Sequence, residues 1–256
     1  MTNKKFTGQA AIITGAGQGI GFEIARQLAL NGAAVLINDL NDELVKKAAD
    51  HINSLGGKCI ALAGDASDID FIQQMVDTAV HHFGKLTIAV ANAGITLFGD
   101  FLTYPAESLQ SVVNLNLQGS FFLAQRAARQ MISQQSGGSI LFMSSATGHQ
   151  AHKDLAAYGM TKAALEMLAK NLVIELSAYH ITVNTVAPGA TLTERTLEDA
   201  EYKSTWSRIT PMGRPATVED VANAVLFLVS PDSRQITGQN IIVDGGWTAV
   251  STSPYQ

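Results

Sequence analysis

The sequence predicts an α/β protein: a doubly wound, seven-stranded parallel sheet with helices on both faces, in a single domain spanning 1–256. Three observations predict it. Seven short apolar runs alternate with longer amphipathic stretches, and the runs themselves show little polar alternation. No Pro/Ser linker, charge block or fixed-period repeat divides the chain.

The runs are Ala10–Thr14, Ala33–Asn38, Lys58–Ala63, Leu86–Ala91, Ser139–Met143, Ile181–Val186 and Asn240–Val243. Their Val, Ile, Leu and Ala content is that of strands covered on both faces. After the first run, Ile20–Leu30 places Ile20, Ile24, Ala25 and Leu28 on one helical stripe. After the second, Asp42–Leu55 opens with an acidic N-cap and ends at Gly56-Gly57. After the third, Asp68–Phe83 runs from a capping Asp to Gly84 in the same way. Longer helical stretches, Ser108–Gln134 and Ala157–Ala178, follow the fourth and fifth runs, and Val218–Val229 precedes the last. The segment Thr191–Arg208 is polar and reads as a loop.

Composition removes several function classes. Apolar residues make up 46% of the chain and charged residues 15%, enough apolar surface to offset the entropy of ordering and so exclude a disordered chain. A net charge of −5 with no Lys/Arg cluster excludes the positive footprint of a nucleic-acid binder. The most apolar stretch, Ala224–Val229, is too short to span a membrane, and MTNKKFTGQA has no signal-like apolar run. Cys59 is the single cysteine, so no intramolecular disulfide can form, and the six histidines have no metal-ligand spacing. The expectation is a soluble, cytoplasmic protein with no metal, nucleic-acid or membrane partner.

The first strand is followed by Thr14-Gly15-Ala16-Gly17-Gln18-Gly19-Ile20-Gly21, which leads directly into a helix. Glycines let the backbone take positive φ and bring N–H groups up to a phosphate, and the helix N-terminus favours an anion. The G-x-G-x-x-G spacing would need a glycine where Phe22 stands; Gly15, Gly19 and Gly21 fit G-x-x-x-G-x-G instead. Alone, this is a tight βα turn. Asp39, ending the second strand eighteen residues past Gly21, adds a carboxylate that can accept hydrogen bonds from an adenosine ribose and repel a 2′-phosphate. Gln18 and Leu40 stand where a cation would receive that phosphate. The pattern predicts a nucleotide cofactor, and NAD over NADP.

Tyr158 and Lys162, four apart, share a helix face. A phenol ionises near pH ~10, so one acting as a base near neutrality needs about 4 kcal/mol of preferential stabilisation of its ionised form. A neighbouring ammonium supplies it. Taken alone, such a pair usually signifies surface packing. Here Ser145 follows the fifth strand, Asn92-Ala93-Gly94 the fourth and Pro188-Gly189 the sixth, so all converge on the carboxyl edge where such sheets bind ligands.

The chain resembles the short-chain dehydrogenase/reductase family from about Gly8 to Gly246. The glycine turn, Asn92-Ala93-Gly94, Ser145, Tyr158/Lys162, Pro188-Gly189 and the closing Gly238–Gly246 appear in family order. Ala91 departs where members often carry a second Asn. The resemblance implies a Rossmann fold and a secondary alcohol–ketone interconversion by hydride transfer. It implies Tyr158 as general acid/base, with Lys162 stabilising its ionised form and holding the nicotinamide ribose. Ser145 would then bind the substrate oxygen, and Asn116 would support a water relay, with Asn114 the competing residue. Ile20 would meet the pyrophosphate and Asp65-Ala66 the adenine, although Asp65 also suits a turn. Asn92 and Gly94 would line the adenosine side; Pro188, Gly189, Thr191 and Thr193 would hold the carboxamide side.

Between Ser145 and Tyr158, the groups of His149, Gln150, His152, Lys153 and Asp154 suit a polyhydroxylated or acidic substrate if they face it, and solvent otherwise. Residues 191–212 resemble the family's mobile lid, with Glu194, Arg195, Tyr202 and Trp206 as candidate substrate contacts. The reading is an NAD-dependent dehydrogenase of a sugar, sugar acid or polyol. The rival is an NADPH-dependent 3-oxoacyl-carrier-protein reductase, whose members usually present arginines near Ser136 and Tyr179. More remote are a steroid or bile-acid dehydrogenase and a non-catalytic nucleotide-binding scaffold. The resemblance also implies a homotetramer, with the tail Trp247–Gln256 available to close over a neighbouring subunit's site.

Overall fold

A computed structural model describes residues 4–251. Seven parallel strands among them form one sheet in the order β3-β2-β1-β4-β5-β6-β7. They are β1 (Ala10–Ile13), β2 (Ala34–Asp39), β3 (Lys58–Ala63), β4 (Ile88–Ala91), β5 (Gly138–Met143), β6 (Ile181–Pro188) and β7 (Asn240–Val243). Every residue of β1, β4 and β5 is buried, because helices cover both faces. On one face, α1 (Gly19–Leu30), α2 (Asp42–Ser54) and α8 (Val218–Val229) bury Ile24, Leu28, Val45 and Val225 against Ile13, Val35 and Ile37. On the other, α3 (Ile69–Phe83), α5 (Ser120–Ser133) and α6 (Ala156–Leu176) bury Met75, Leu123, Met131 and Leu165 against Ile12, Leu36 and Phe142.

The chain winds outward from β1 to β3, then returns across the sheet to β4 on the other side of β1. That reversal opens a crevice at the carboxyl ends of β1 and β4, where the loops after neighbouring strands diverge.

Three local expectations need correction. The stretch read as one helix over Ser108–Gln134 is α4 (Ala106–Val113), a π-helical turn Asn114–Gly119, and α5. The wide turn faces Asn116 inward, and Gly119 packs so closely on the Ala66 carbonyl that no side chain would fit. The segment read as a loop over Thr191–Arg208 contains a 3-10 turn, Thr196–Glu198, and α7 (Tyr202–Ile209). Its amphipathic face is short and aromatic, Tyr202 and Trp206 being one helical turn apart, so polarity masked it. The N-cap of α2 is Asn41, whose side chain accepts from Leu44 N, not an acidic residue; Asp42 and Glu43 sit in the first turn, paired with Lys46 and Lys47.

Candidate active site

The glycine turn is shaped by close approach. Gly15 and Gly19 have φ of +60° and +63°, and a Cβ on Gly15 would lie 2.8 Å from Ala93 Cα. Asn92 stitches the two loops together: its Nδ2 donates to Thr14 O and Gly15 O, each at 2.9 Å, and its N–H donates to Thr14 Oγ1. α2, α3 and α8 have side-chain N-caps, whereas α1 has none and no acidic residue in its first turn. Its N-terminus therefore offers N–H groups and partial positive charge to the crevice.

This crevice has a volume of about 300 Å³, and Gly15, Gln18, Gly19, Ile20, Gly21, Asn92 and Gly94 line one side. Ser145, Tyr158, Lys162, Pro188, Gly189, Thr191 and Thr193 line the other. The residues present fit a dinucleotide on the observation of this glycine-lined, uncapped cradle. Four expected residues lie beyond its walls. Asp39 is at the end of β2, where its two carboxylate oxygens accept from Gly17 N and Asn41 N at 3.1 Å. Leu40 is exposed beside it. Asp65 holds its own turn, accepting from Ser67 N and Oγ at 2.8 Å, and Ala66 is buried under Gly119.

Tyr158 and Lys162 project from α6. Lys162 is buried, its Nζ 5.4 Å from the Tyr158 ring centroid and donating to Met143 O at 2.8 Å. An ammonium has three donors, and this bond uses one, leaving two for the crevice that Lys162 lines. Ser145 stands at the end of β5, its Oγ capping the 3-10 turn Ala146–Gly148 by accepting from Thr147 N.

Asn116 is fully buried in the π-helical turn. Its Oδ1 accepts from Ile95 N at 2.9 Å and its Nδ2 donates to Ile95 O at 3.0 Å. It also reaches Thr161 Oγ1, which donates to Tyr158 O. Asn114, the competing residue, instead accepts from Gln110 on the exposed side.

A second cavity of about 350 Å³ shares Thr96, Ser145, Pro188, Gly189, Arg195, Thr196 and Tyr202 with the first. Phe98, Thr147, His152, Trp206 and Trp247 also line it. Trp206 and Trp247 meet edge-on, ring centroids 5.1 Å apart, and Tyr202 lies 6.1 Å from Trp206. Burial raises the Tyr202 phenol above its ordinary pKa, so it stays protonated, and its oxygen accepts from Thr191 N. Asp244 anchors the segment carrying Trp247: burial pushes its carboxyl up, but bonds from Thr248 and Gly246 outweigh this and hold it below the usual range.

One expected substrate contact needs correction. His149 turns away from both cavities, its Nε2 lying 2.7 Å from Glu166 Oε1 and 2.6 Å from the Asn240 amide. The 3-10 turn Ala146–Gly148 separates it from Ser145, and its ring is held against α6 and β7 instead. Thr96 and Thr147 were missed because lone threonines in loops carry no pattern. Trp247, at the start of the tail that could close over a neighbouring subunit's site, packs on α7 of its own chain; tail residues 252–256 lie outside the described residues.

A family model with the description Enoyl-(Acyl carrier protein) reductase matches residues 15–248. L-rhamnose 1-dehydrogenase (NAD(P)(+)) of Sphingomonas sp. (strain SKA58) is 36% identical over 247 residues, covering 95% of this chain and 97% of its own. A short-chain type dehydrogenase/reductase from Mycobacterium marinum superposes with a TM-score of 0.92 at 34% identity, covering 97% of this chain and 98% of its own. A 7α-hydroxysteroid dehydrogenase complexed with NADH and 7-oxo glycochenodeoxycholic acid gives 0.90 at 34% identity, covering 95% and 96%. These likenesses span nearly the whole chain, including the edge where Ser145, Tyr158 and Lys162 meet the glycine turn. The protein belongs to the short-chain dehydrogenase/reductase family of oxidoreductases.

Proposed function

We propose that this protein is an NAD-dependent dehydrogenase of a sugar, sugar acid or polyol, converting a secondary alcohol to a ketone or lactone. The carrying observation is the second cavity, where an aromatic corner of Tyr202, Trp206 and Trp247 faces the donors and acceptors of Thr96, Thr147, His152 and Arg195 beside Ser145. Such a cavity can pack the C–H face of a sugar ring while polar groups fix its hydroxyls. Similarity to a rhamnose dehydrogenase supports the same reading and makes a hexose or deoxyhexose the first substrate to try.

The bound dinucleotide would supply the hydride acceptor; Gly15, Gly19, Ile20 and Gly21 would hold its phosphates, with Asn92, Gly94, Pro188, Gly189, Thr191 and Thr193 along its length. Asp39 supports NAD over NADP, since a carboxylate repels a 2′-phosphate, and Leu40 brings no charge to receive one. At the reacting carbon, Ser145 and Tyr158 would hold the substrate oxygen, and Tyr158 Oη would take its proton. Lys162, buried beside the phenol, would hold the nicotinamide ribose with its remaining donors. Asn116 fixes Ile95 O, which could hold a water that carries a proton outward from Lys162. α7 would close over the substrate and exclude water.

A homotetramer is part of this reading, supported by exposed Phe121, Met167 and Ile174 on α5 and α6. So is a cytoplasmic setting, with no helix of the described residues long and apolar enough to cross a membrane.

The test is reduced-cofactor formation with a panel of sugars, sugar acids, polyols and hydroxyacyl thioesters, each with NAD and NADP, beside Tyr158→Phe. Turnover of a carbohydrate with NAD, abolished in the variant, is expected. Activity confined to an acyl thioester with the phosphorylated cofactor would overturn the substrate and cofactor assignments together.

A further inference from the structure

Tyr158, Lys162 and Glu166 recur every four residues along α6, so the face bearing the two reacting groups extends one turn further to a carboxylate. Glu166 is largely buried, its side chain 14% exposed. Two donors converge on its Oε1. Ser144 Oγ lies 2.5 Å away and His149 Nε2 2.7 Å away. Ser144 immediately precedes Ser145, and His149 immediately follows the 3-10 turn Ala146–Gly148 that Ser145 caps. Both ends of the turn carrying Ser145 are thus tied to one oxygen of the helix that carries Tyr158 and Lys162.

Proton bookkeeping fixes the directions. A carboxylate only accepts, so His149 Nε2 carries a proton, and Ser144 directs its single proton to Glu166; Lys162 O, 3.1 Å from Ser144 Oγ, is the weaker acceptor. The Asn240 amide also lies against His149 Nε2, at 2.6 Å, and its Oδ1 accepts from Thr185 Oγ1 at 2.7 Å. β7 thus touches the brace through Asn240. Gly148 permits the approach: a Cβ there would meet Ala163 N at 3.1 Å and Glu166 Oε1 at 3.2 Å.

We infer that Glu166 is a positioning residue of this enzyme: by accepting from Ser144 and His149 it sets Ser145 at its working distance from Tyr158. The inference rests on the roles proposed above for Ser145 and Tyr158. Its effect is on the serine turn, not on the glycine cradle, so it should appear in kcat and leave cofactor binding alone.

The experiment compares Glu166→Ala, Glu166→Gln, Ser144→Ala and His149→Phe in the full-length protein. It measures kcat and KM for the substrate found above, NADH affinity by fluorescence titration, and thermal unfolding. Glu166→Ala should lose on the order of 10- to 100-fold in kcat with NADH affinity within about threefold of wild type. Glu166→Gln keeps an acceptor oxygen at the same place and should retain kcat within about threefold. A merely structural role would lower the melting temperature and leave the turnover of correctly folded protein unchanged, which would overturn the inference, as would a Gln variant as slow as the Ala variant. Should Glu166→Ala fail to fold, Ser144→Ala and His149→Phe each remove one donor without touching α6. A fall in kcat in both supports the brace, and unchanged kcat in either overturns it. Tyr158→Phe separates the premises: full activity there would remove the catalytic assignment whatever the Glu166 series shows.

Discussion

Trp206, on α7, meets Trp247, just beyond the last strand, edge-on with ring centroids 5.1 Å apart. Two segments distant in sequence thereby close one wall of the second cavity, the one proposed to hold the substrate. Removing either ring opens that wall and costs an aromatic contact of about 0.5–1.5 kcal/mol beyond the area it buries. Trp206→Ala and Trp247→Ala should each raise substrate KM roughly tenfold while leaving cofactor affinity unchanged. Steady-state kinetics with NADH titration checks this; an unchanged KM would place the sugar elsewhere.

Asp39 reaches from the end of β2 to Gly17 N with one oxygen and keeps lone pairs for a ribose hydroxyl. Asp39→Ala combined with Leu40→Arg should lower kcat/KM for NAD at least tenfold and raise it for NADP, reversing the preference. Measuring both cofactors with one substrate decides it. Loss of NAD activity with no gain for NADP would mean the carboxylate matters only for holding the turn.

Gly94 faces the gap between Asn116 and Lys162: a Cβ there would come within 3.1 Å of Asn116 Oδ1 and 3.4 Å of Lys162 Nζ. Gly94→Ala should displace the ammonium or the asparagine and reduce kcat by about tenfold or more, with little change in melting temperature. Unaltered turnover would show that the gap has slack to spare.

The buried Cys59 thiol is pushed up to about 12 by desolvation. It stays protonated in the folded protein and should resist thiol reagents at pH 8 until the protein unfolds. The folded value lies above the unfolded one, so protonation of this thiol supports folding fully below about pH 9 and that support is lost as pH rises toward about 12. Thermal unfolding between pH 8 and 10 should show a fall that Cys59→Ala flattens. Equal slopes in the two proteins would remove Cys59 as the cause.

All seven strands were legible because each is a compact apolar run, and a strand covered on both faces has no other way to read. The helices read well where an Asp or Gly marks an end, as at Asp68 and Gly84, which do cap α3. They read poorly where one helix gives way to another without such a mark, as in the π-helical turn holding Asn116. α7 escaped notice because eight residues, all but Ile209 polar or aromatic, carry too little periodicity to stand out from a loop.

The sequence by itself determined the alternation of strands and helices, the glycine turn, and the Tyr158–Lys162 spacing, because these depend on neighbours within a few residues. It could not decide where His149 points or that Trp206 finds Trp247. Nor could it decide that Ser144 and His149 would share Glu166. Those depend on where the fold sets a 3-10 turn and which side chains distant in sequence then compete for the same space. Only packing resolves that competition, since a local pattern contains no information about a partner that the fold alone brings near.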